Sequence, residues 1–221
     1  MYAAKSQAEL LELLHIERKL TFSSKLLLLK ELDKRGMLDE SNLLHQSIDK
    51  YVSEIEDLAY LKNIGFKADR EGNGLKITRT FWAILIDVIA VLLGVVFCFV
   101  GLMGVGALIN SFTDESAMNM GIFVSIAVEL VLGYFGIKFL SGFDRLVNLS
   151  NFELTSTGGL VRLKRRFDYK TKVIEEKAEN LKMSISGDTM KMFLGESEIM
   201  SANAKSIVQK MTIEALIRKL K

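Results

Sequence analysis

Three charged residues interrupt two long apolar runs, and that setting determines what chemistry they can do. Asp87 lies in the run from Phe81 to Leu108, and Glu129 and Lys138 lie in the run from Met120 to Leu140. A charged side chain in hydrocarbon costs roughly 2.5–3.5 kcal/mol on insertion scales unless it is paired or hydrated, so these three are the first candidates for function. In a hairpin turning near residue 114, Asp87 is expected level with position 141, about one helical turn from Lys138. Two readings stay open there: an Asp87–Lys138 ion pair near the inner interface, or Lys138 extending to the headgroups while Asp87 meets interfacial water. The same register puts Glu129 level with Phe99, near the bilayer midplane and far from any lysine. Gly121, Ser125, Glu129 and Gly133 recur every four residues and so share one helix face, where small side chains let a partner backbone come close. The first run carries Ala90, Gly94 and Cys98, with Gly101 one turn on. Either both stripes seat the two helices, or one drives oligomerisation and sets several copies of Glu129 around an axis. Glu129 is then a hydrogen-bonding acid at a helix contact or a pore-lining, proton-linked group.

A second cluster, Arg162, Lys164, Arg165, Arg166, Lys170 and Lys172, follows the second run closely. Anionic headgroups attract such residues by ~1 kcal/mol each, so contact with a membrane surface is expected ahead of a protein partner, and no nucleic acid is expected. No soluble-type catalytic motif occurs: His15 and His45 lie on amphipathic stretches, and H-E-x-x-H, Walker A, G-x-S-x-G and paired-cysteine patterns are absent. No catalytic residue, cofactor or metal site is therefore expected. The single cysteine, Cys98, rules out a disulfide within one chain. Gly101-Leu-Met-Gly-Val-Gly106 imitates a dinucleotide loop, but it lies inside an apolar helix with no strand before it and reads as a packing feature.

Charge is sharply segregated among the elements that hold these residues. Residues 1–79 carry 13 basic and 13 acidic side chains, whereas residues 80–142 carry one basic and four acidic. A helix needs ~20 apolar residues to cross ~30 Å of hydrocarbon, and both runs suffice. Proline is absent, so nothing interrupts long helices. Transmembrane helices are expected at 81–109 and 120–141, joined by a short external loop at 110–119 that carries Asp114 and Glu115. Lysines and arginines near membrane ends are retained in the cytoplasm. Lys67, Arg70, Lys76 and Arg79 before the first run, and the basic residues after the second, place both termini inside; the loop has none.

Residues 1–66 read as a cytoplasmic amphipathic helical hairpin. Leu10, Leu13, Leu14, Leu20, Leu26 to Leu29 and Leu32 form the first stripe, Gly36 stops it, and a second helix starts near Asp39, where Leu44, Ile48, Tyr51, Val52, Ile55, Leu58 and Lys62 include a 4-3-4-3-4 spacing that fits a hairpin seam or, as the alternative, a coiled coil. Residues 67–80 read as a juxtamembrane linker. Leu29-Lys-Glu-Leu-Asp-Lys-Arg-Gly-Met-Leu-Asp-Glu40 resembles the helix, glycine turn and acidic helix start of SHOCT modules, small helical hairpins linked with oligomerisation. The resemblance spans under 30 residues, departs at Ser41-Asn42-Leu43 and implies self-association without transferring any site.

Residues 142–221 read as a basic α+β domain. Val161, Leu163, Phe167, Tyr169 and Val173 alternate with charges as in a strand, although Leu160, Leu163, Phe167, Ile174 and Leu181 also fit a helix, so residues 160–183 stay open between the two. Leu181 to Leu194 reads as a β-hairpin turning at Gly187-Asp188, and Ala202 to Lys221 as a helix burying Ile207, Val208, Met211, Ala215, Ile217 and Leu220. The fold class expected is thus a mainly α membrane protein: a two-helix transmembrane hairpin with an N-terminal helical hairpin and a small C-terminal α+β domain, both cytoplasmic. The function expected is that of a non-enzymatic interaction or accessory protein of the cell inner membrane, on the scale of immunity, entry-exclusion or secretion-accessory proteins. Its expected partners are the lipid bilayer, further copies of itself and another membrane protein. The alternative is a homo-oligomeric pore or depolarising effector with Glu129 in the membrane.

Overall fold

The computed structural model describes residues 2–72, 74–113, 120–167 and 170–221, with the side chains of 38–40 and 167 left aside. It is a mixture of helix and sheet containing two long apolar helices. The helices are α1 (Gln7–His15), α2 (Phe22–Lys34), α3 (Leu38–Glu56), α4 (Phe81–Thr113), α5 (Met120–Asn148) and α6 (Ile207–Leu220). The strands are β1 (Phe66–Glu71), β2 (Gly74–Arg79), β3 (Glu153–Thr157), β4 (Leu160–Phe167), β5 (Lys170–Lys177), β6 (Leu181–Ser186), β7 (Thr189–Leu194) and β8 (Ser197–Asn203). They form two sheets, ordered β1-β2-β3-β4-β5 and β6-β7-β8.

Two compact units emerge. The first gathers residues 1–77, 155–161 and 175–221, so it draws on the chain both before and after the apolar helices. Its first helical stripe is broken where one helix was expected. Thr21 caps α2 by accepting from Ser24 N at 3.2 Å, and Ser6 forms a capping box with Glu9 at the start of α1. Gly36 does stop α2, at φ +71°, with Met37 N donating to Leu32 O as in a Schellman turn. Lys25 lies in the same stripe at 3% exposure. Its Nζ donates to Glu17 Oε2 at 2.7 Å and to Ser47 Oγ at 2.6 Å, and it stands 5.2 Å from the centre of the Tyr51 ring. Helix α6 packs on α3 and on the 3-10 turn Ala59–Ile64, and Ser156 Oγ donates to Leu220 O at 2.8 Å.

Several boundaries differ from the sequence reading. The expected linker 67–80 contains β1 and β2. Residues 160–183 resolve as β4, β5, a 3-10 turn at Ala178–Asn180 and the start of β6, with no α-helix among the described residues; Asp168 and Tyr169 of that alternation lie outside the described residues. The β6–β7 hairpin turns at Gly187-Asp188 as expected, pairing Leu181 with Leu194 and Ile185 with Met190. Strand β8 takes residues that had been read as the start of the last helix, which instead begins at Ile207 with Ser206 as its cap. A register shift against Met192/Phe193 lets the successive residues Ile199 and Met200 of β8 both be buried, which erases the two-residue period. The core face of α6 turns accordingly: Thr212, Ile213, Ala215, Leu216 and Leu220 are buried, while Ile207 is 39% exposed.

The second unit, residues 78–154 and 162–174, is dominated by α4 and α5. The best 18-residue stretches reach mean hydropathies of 3.0 and 2.0, and only 11% of each is buried. That outward apolar surface is the reverse of a core helix in a soluble protein. Both helices outrun the expected spans. Asn110 to Thr113, expected as loop, continue α4, and α5 extends past Ser141 to Asn148. Asp114, Glu115 and the rest of the expected loop lie outside the described residues.

Candidate functional site

The candidate site is the seam between α4 and α5, and glycine builds it. A Cβ added at Gly101 would stand 2.5 Å from Gly133 Cα, and one added at Gly136 would stand 2.6 Å from Cys98 N. At Gly94 the nearest atoms are Leu140 N at 3.0 Å and Gly136 O at 3.1 Å. At Gly101 and Gly136 a side chain would force the partner backbone to shift and at Gly94 it would crowd it, so the backbones approach directly, as small residues at a helix contact allow. The contacts run in opposite directions along the two helices, so the pair is antiparallel. Ala90 joins at the far end, its Cβ 3.8 Å from the position a Cβ would take on Gly142. The stripes expected from spacing are thus only partly the seam: Gly94, Cys98, Gly101 and Gly133 belong to it, while Gly121 and Ser125 are exposed. Gly136 and Gly142 lie outside the stripes expected, and Gly104 enters only as part of the 101–106 packing stretch. Gly104 and Gly136 each lie three residues beyond a recognised glycine, a spacing that a strict four-residue repeat overlooks.

Asp87 is the deepest charge of the seam, at 1% exposure. Its Oδ2 accepts from Arg79 Nη2, and its Oδ1 accepts from Arg145 Nε at 3.1 Å and Nη2 at 2.5 Å. Arg79 also donates from Nη1 to Arg145 O at 3.3 Å. One carboxylate therefore ties the end of β2 to the last turn of α5, and the cluster carries a formal net charge of +1. This corrects the Asp87–Lys138 pair. Asp87 meets position 145 rather than 141, so α5 is offset against α4 by about one helical turn from the expected register. Lys138 instead places Nζ 4.8 Å from the centre of the Tyr134 ring. Arg79 thus does more than mark orientation, and Arg145 joins it at the seam.

The same shift moves Glu129, expected level with Phe99, against Gly104. A Cβ at Gly104 would lie 2.7 Å from Glu129 Cβ and 3.2 Å from Glu129 Oε2. Ser125 Oγ donates to Glu129 Oε1 at 3.3 Å, a long bond from an exposed hydroxyl. The missing side chain of Gly104 thus makes the room that the half-buried glutamate occupies.

The basic residues after the second run fall on two neighbouring strands. Arg162 and Lys164 to Arg166 lie on β4, and Lys170 and Lys172 on β5. Arg162, Lys170 and Lys172 are exposed, whereas Lys164, Arg165 and Arg166 are half-buried. Arg162, Arg165 and Lys172 engage other groups, so the cluster is not a uniform array of free cations. His45 Nε2 lies 3.8 Å from Asp33 Oδ1, and His15 ends α1. Among the described residues no group of three or more His, Cys, Asp or Glu stands together to hold a metal ion.

No protein family matches the chain, and neither the curated proteins nor the solved structures contain a match to it. The resemblance of residues 29–40 to SHOCT modules is thus supported by no family match.

Proposed function

We propose that this chain is a non-enzymatic interaction protein of the cell inner membrane. In this reading α4 and α5 cross the bilayer as a hairpin, both termini lie in the cytoplasm, and the first unit presents binding surfaces to a membrane protein partner. Self-association through the small-residue faces belongs to the same proposal. One observation carries it: residues before α4 and after α5 share a single compact core, with α6 packed on α3. A core shared across two apolar helices requires an even number of crossings, and the exposed apolar surface of those helices suits lipid. The excess of lysine and arginine on the flanks favours the cytoplasmic side for that core. Glu129, tucked against Gly104 within one copy, favours a packed contact over a pore lumen.

The test uses a Cys98→Ser background with single cysteines at Ser6, Ser116 and Ser206, probed in sealed cells by a reagent that cannot cross membranes. Labelling is expected only at 116. Labelling at 6 or 206 would overturn the orientation, and opposite results at 6 and 206 would overturn the hairpin itself.

A further inference from the structure

We propose that the Lys138 face of α5 is a docking site for a transmembrane helix of another protein that carries an aspartate or glutamate at the same depth. The inference rests on the membrane reading above and goes beyond it by naming the face and the chemistry of the partner. Lys138 is exposed, and among the described residues its ammonium forms no ion pair; it stands over the Tyr134 ring, while its carbonyl accepts from Ser141 Oγ at 2.6 Å. Asp87, the carboxylate that the sequence offered it, is held by Arg79 and Arg145. Glu129 lies nine residues away on the same helix, ~13 Å along its axis, and is turned to Gly104 and Ser125.

The hairpin thus carries a cation in its apolar surface without an internal counter-charge. Extension to the headgroups offers poor relief. Helical Cα–Cβ bonds tilt toward the N-terminus, and the N-terminal end of α5 points away from the side that holds Arg145. The observed side chain follows that tilt, lying back over Tyr134 and not toward Arg145. A second copy does not supply the charge either: copies side by side in one membrane have equal depths, so the neighbour's Glu129 is again ~13 Å out of step, and Asp144 of either copy lies ~9 Å toward the C-terminus, against the direction in which Lys138 leans. What remains complementary is a carboxylate on a different helix, seated on the exposed surface of Tyr134, Ile137, Lys138 and Ser141. Ile137 and Tyr134 are 68% and 57% exposed, which provides apolar area around the ion pair.

The experiment co-reconstitutes the labelled full chain with a single-span leucine-rich helix in phosphatidylcholine vesicles and reads association by energy transfer. The helix carries Asp, Asn or Leu at the depth of Lys138. The Asp helix is expected to associate about tenfold more tightly than the Leu helix, equivalent to ~1.4 kcal/mol, with Asn between. Lys138→Met should abolish the difference, Lys138→Arg should retain it, and Glu129→Gln should leave it unchanged. Equal association of the Asp and Leu helices, or a preference that survives Lys138→Met, overturns the proposal. Loss of the preference when phosphatidylglycerol is added at constant total lipid also overturns it, in favour of headgroup phosphate as the counter-charge. Failure of both wild type and Lys138→Met to float with the vesicles would instead overturn the membrane reading itself.

Discussion

Removing the Asp87 carboxylate probes the strongest electrostatic feature of the seam. Asp87→Ala leaves Arg79, whose side chain is 6% exposed, without its counter-charge, whereas Arg145, at 61%, can return to water or headgroups. Breaking a buried pair by deleting one partner costs ~3–5 kcal/mol, while an exposed pair is worth ~0–1 kcal/mol. Most of the loss is therefore assigned to the stranded Arg79. Asp87→Ala should lower the unfolding free energy of the α4–α5 pair by about 3–5 kcal/mol, and Arg145→Ala by about 1 kcal/mol or less. Combining Asp87→Ala with Arg79→Met should recover part of the loss, because no buried charge remains unpaired. The assay is reversible unfolding of the full chain in mixed micelles of mild detergent and dodecyl sulfate. It is followed by far-ultraviolet circular dichroism and by the fluorescence of Trp82, the single tryptophan. An Asp87→Ala cost below about 1 kcal/mol, or a double variant that costs the full sum, would refute the argument.

Three further outcomes follow from the same geometry. Gly101→Val drives a side chain into the Gly133 backbone, which no rotamer relieves, and should cost at least ~1–3 kcal/mol in the micelle assay; Gly106→Ala, with open space around it, should be near neutral. Glu129→Gln keeps shape and hydrogen-bonding capacity and should leave assembly intact, and Glu129→Leu should lose only ~0.6 kcal/mol, at most ~2; vesicle ion conductance present in wild type and lost in the Gln variant would instead make the charge itself functional. Acid should loosen the N-terminal helices, because the hydrogen bond from Lys25 holds the Glu17 carboxyl below its usual 4.5. A depressed carboxyl stabilises the fold above that value and loses its contribution as pH falls through the lower, folded value, leaving Lys25 buried without a counter-charge. Glu17→Gln should remove this part of the acid dependence, measured by circular dichroism.

Much of the architecture was legible because it depends on composition and short-range pattern. Two apolar runs without proline become α4 and α5 whatever surrounds them, since helix length and outward hydrophobicity are local properties. Gly36 and Gly187-Asp188 were likewise readable, because a left-handed backbone position selects its residue directly. Strands β1 and β2 were not, since each offers only two or three alternating positions amid charge, and pairing into a five-stranded sheet decides their state. Strand β8 was hidden by a register shift that buries adjacent residues, an arrangement visible only against its partner strand. The charged residues divide in the same way. Asp87 and Glu129 were candidates from the cost of burying charge alone, but their partners depended on the register between α4 and α5. The observed register slides α5 past α4 by about one helical turn from the one expected. That displacement gives Asp87 to Arg145, sets Glu129 into the space left by Gly104 and leaves Lys138 without a carboxylate. Pairing across two helices depends on the register between them, and only the tertiary structure contains it.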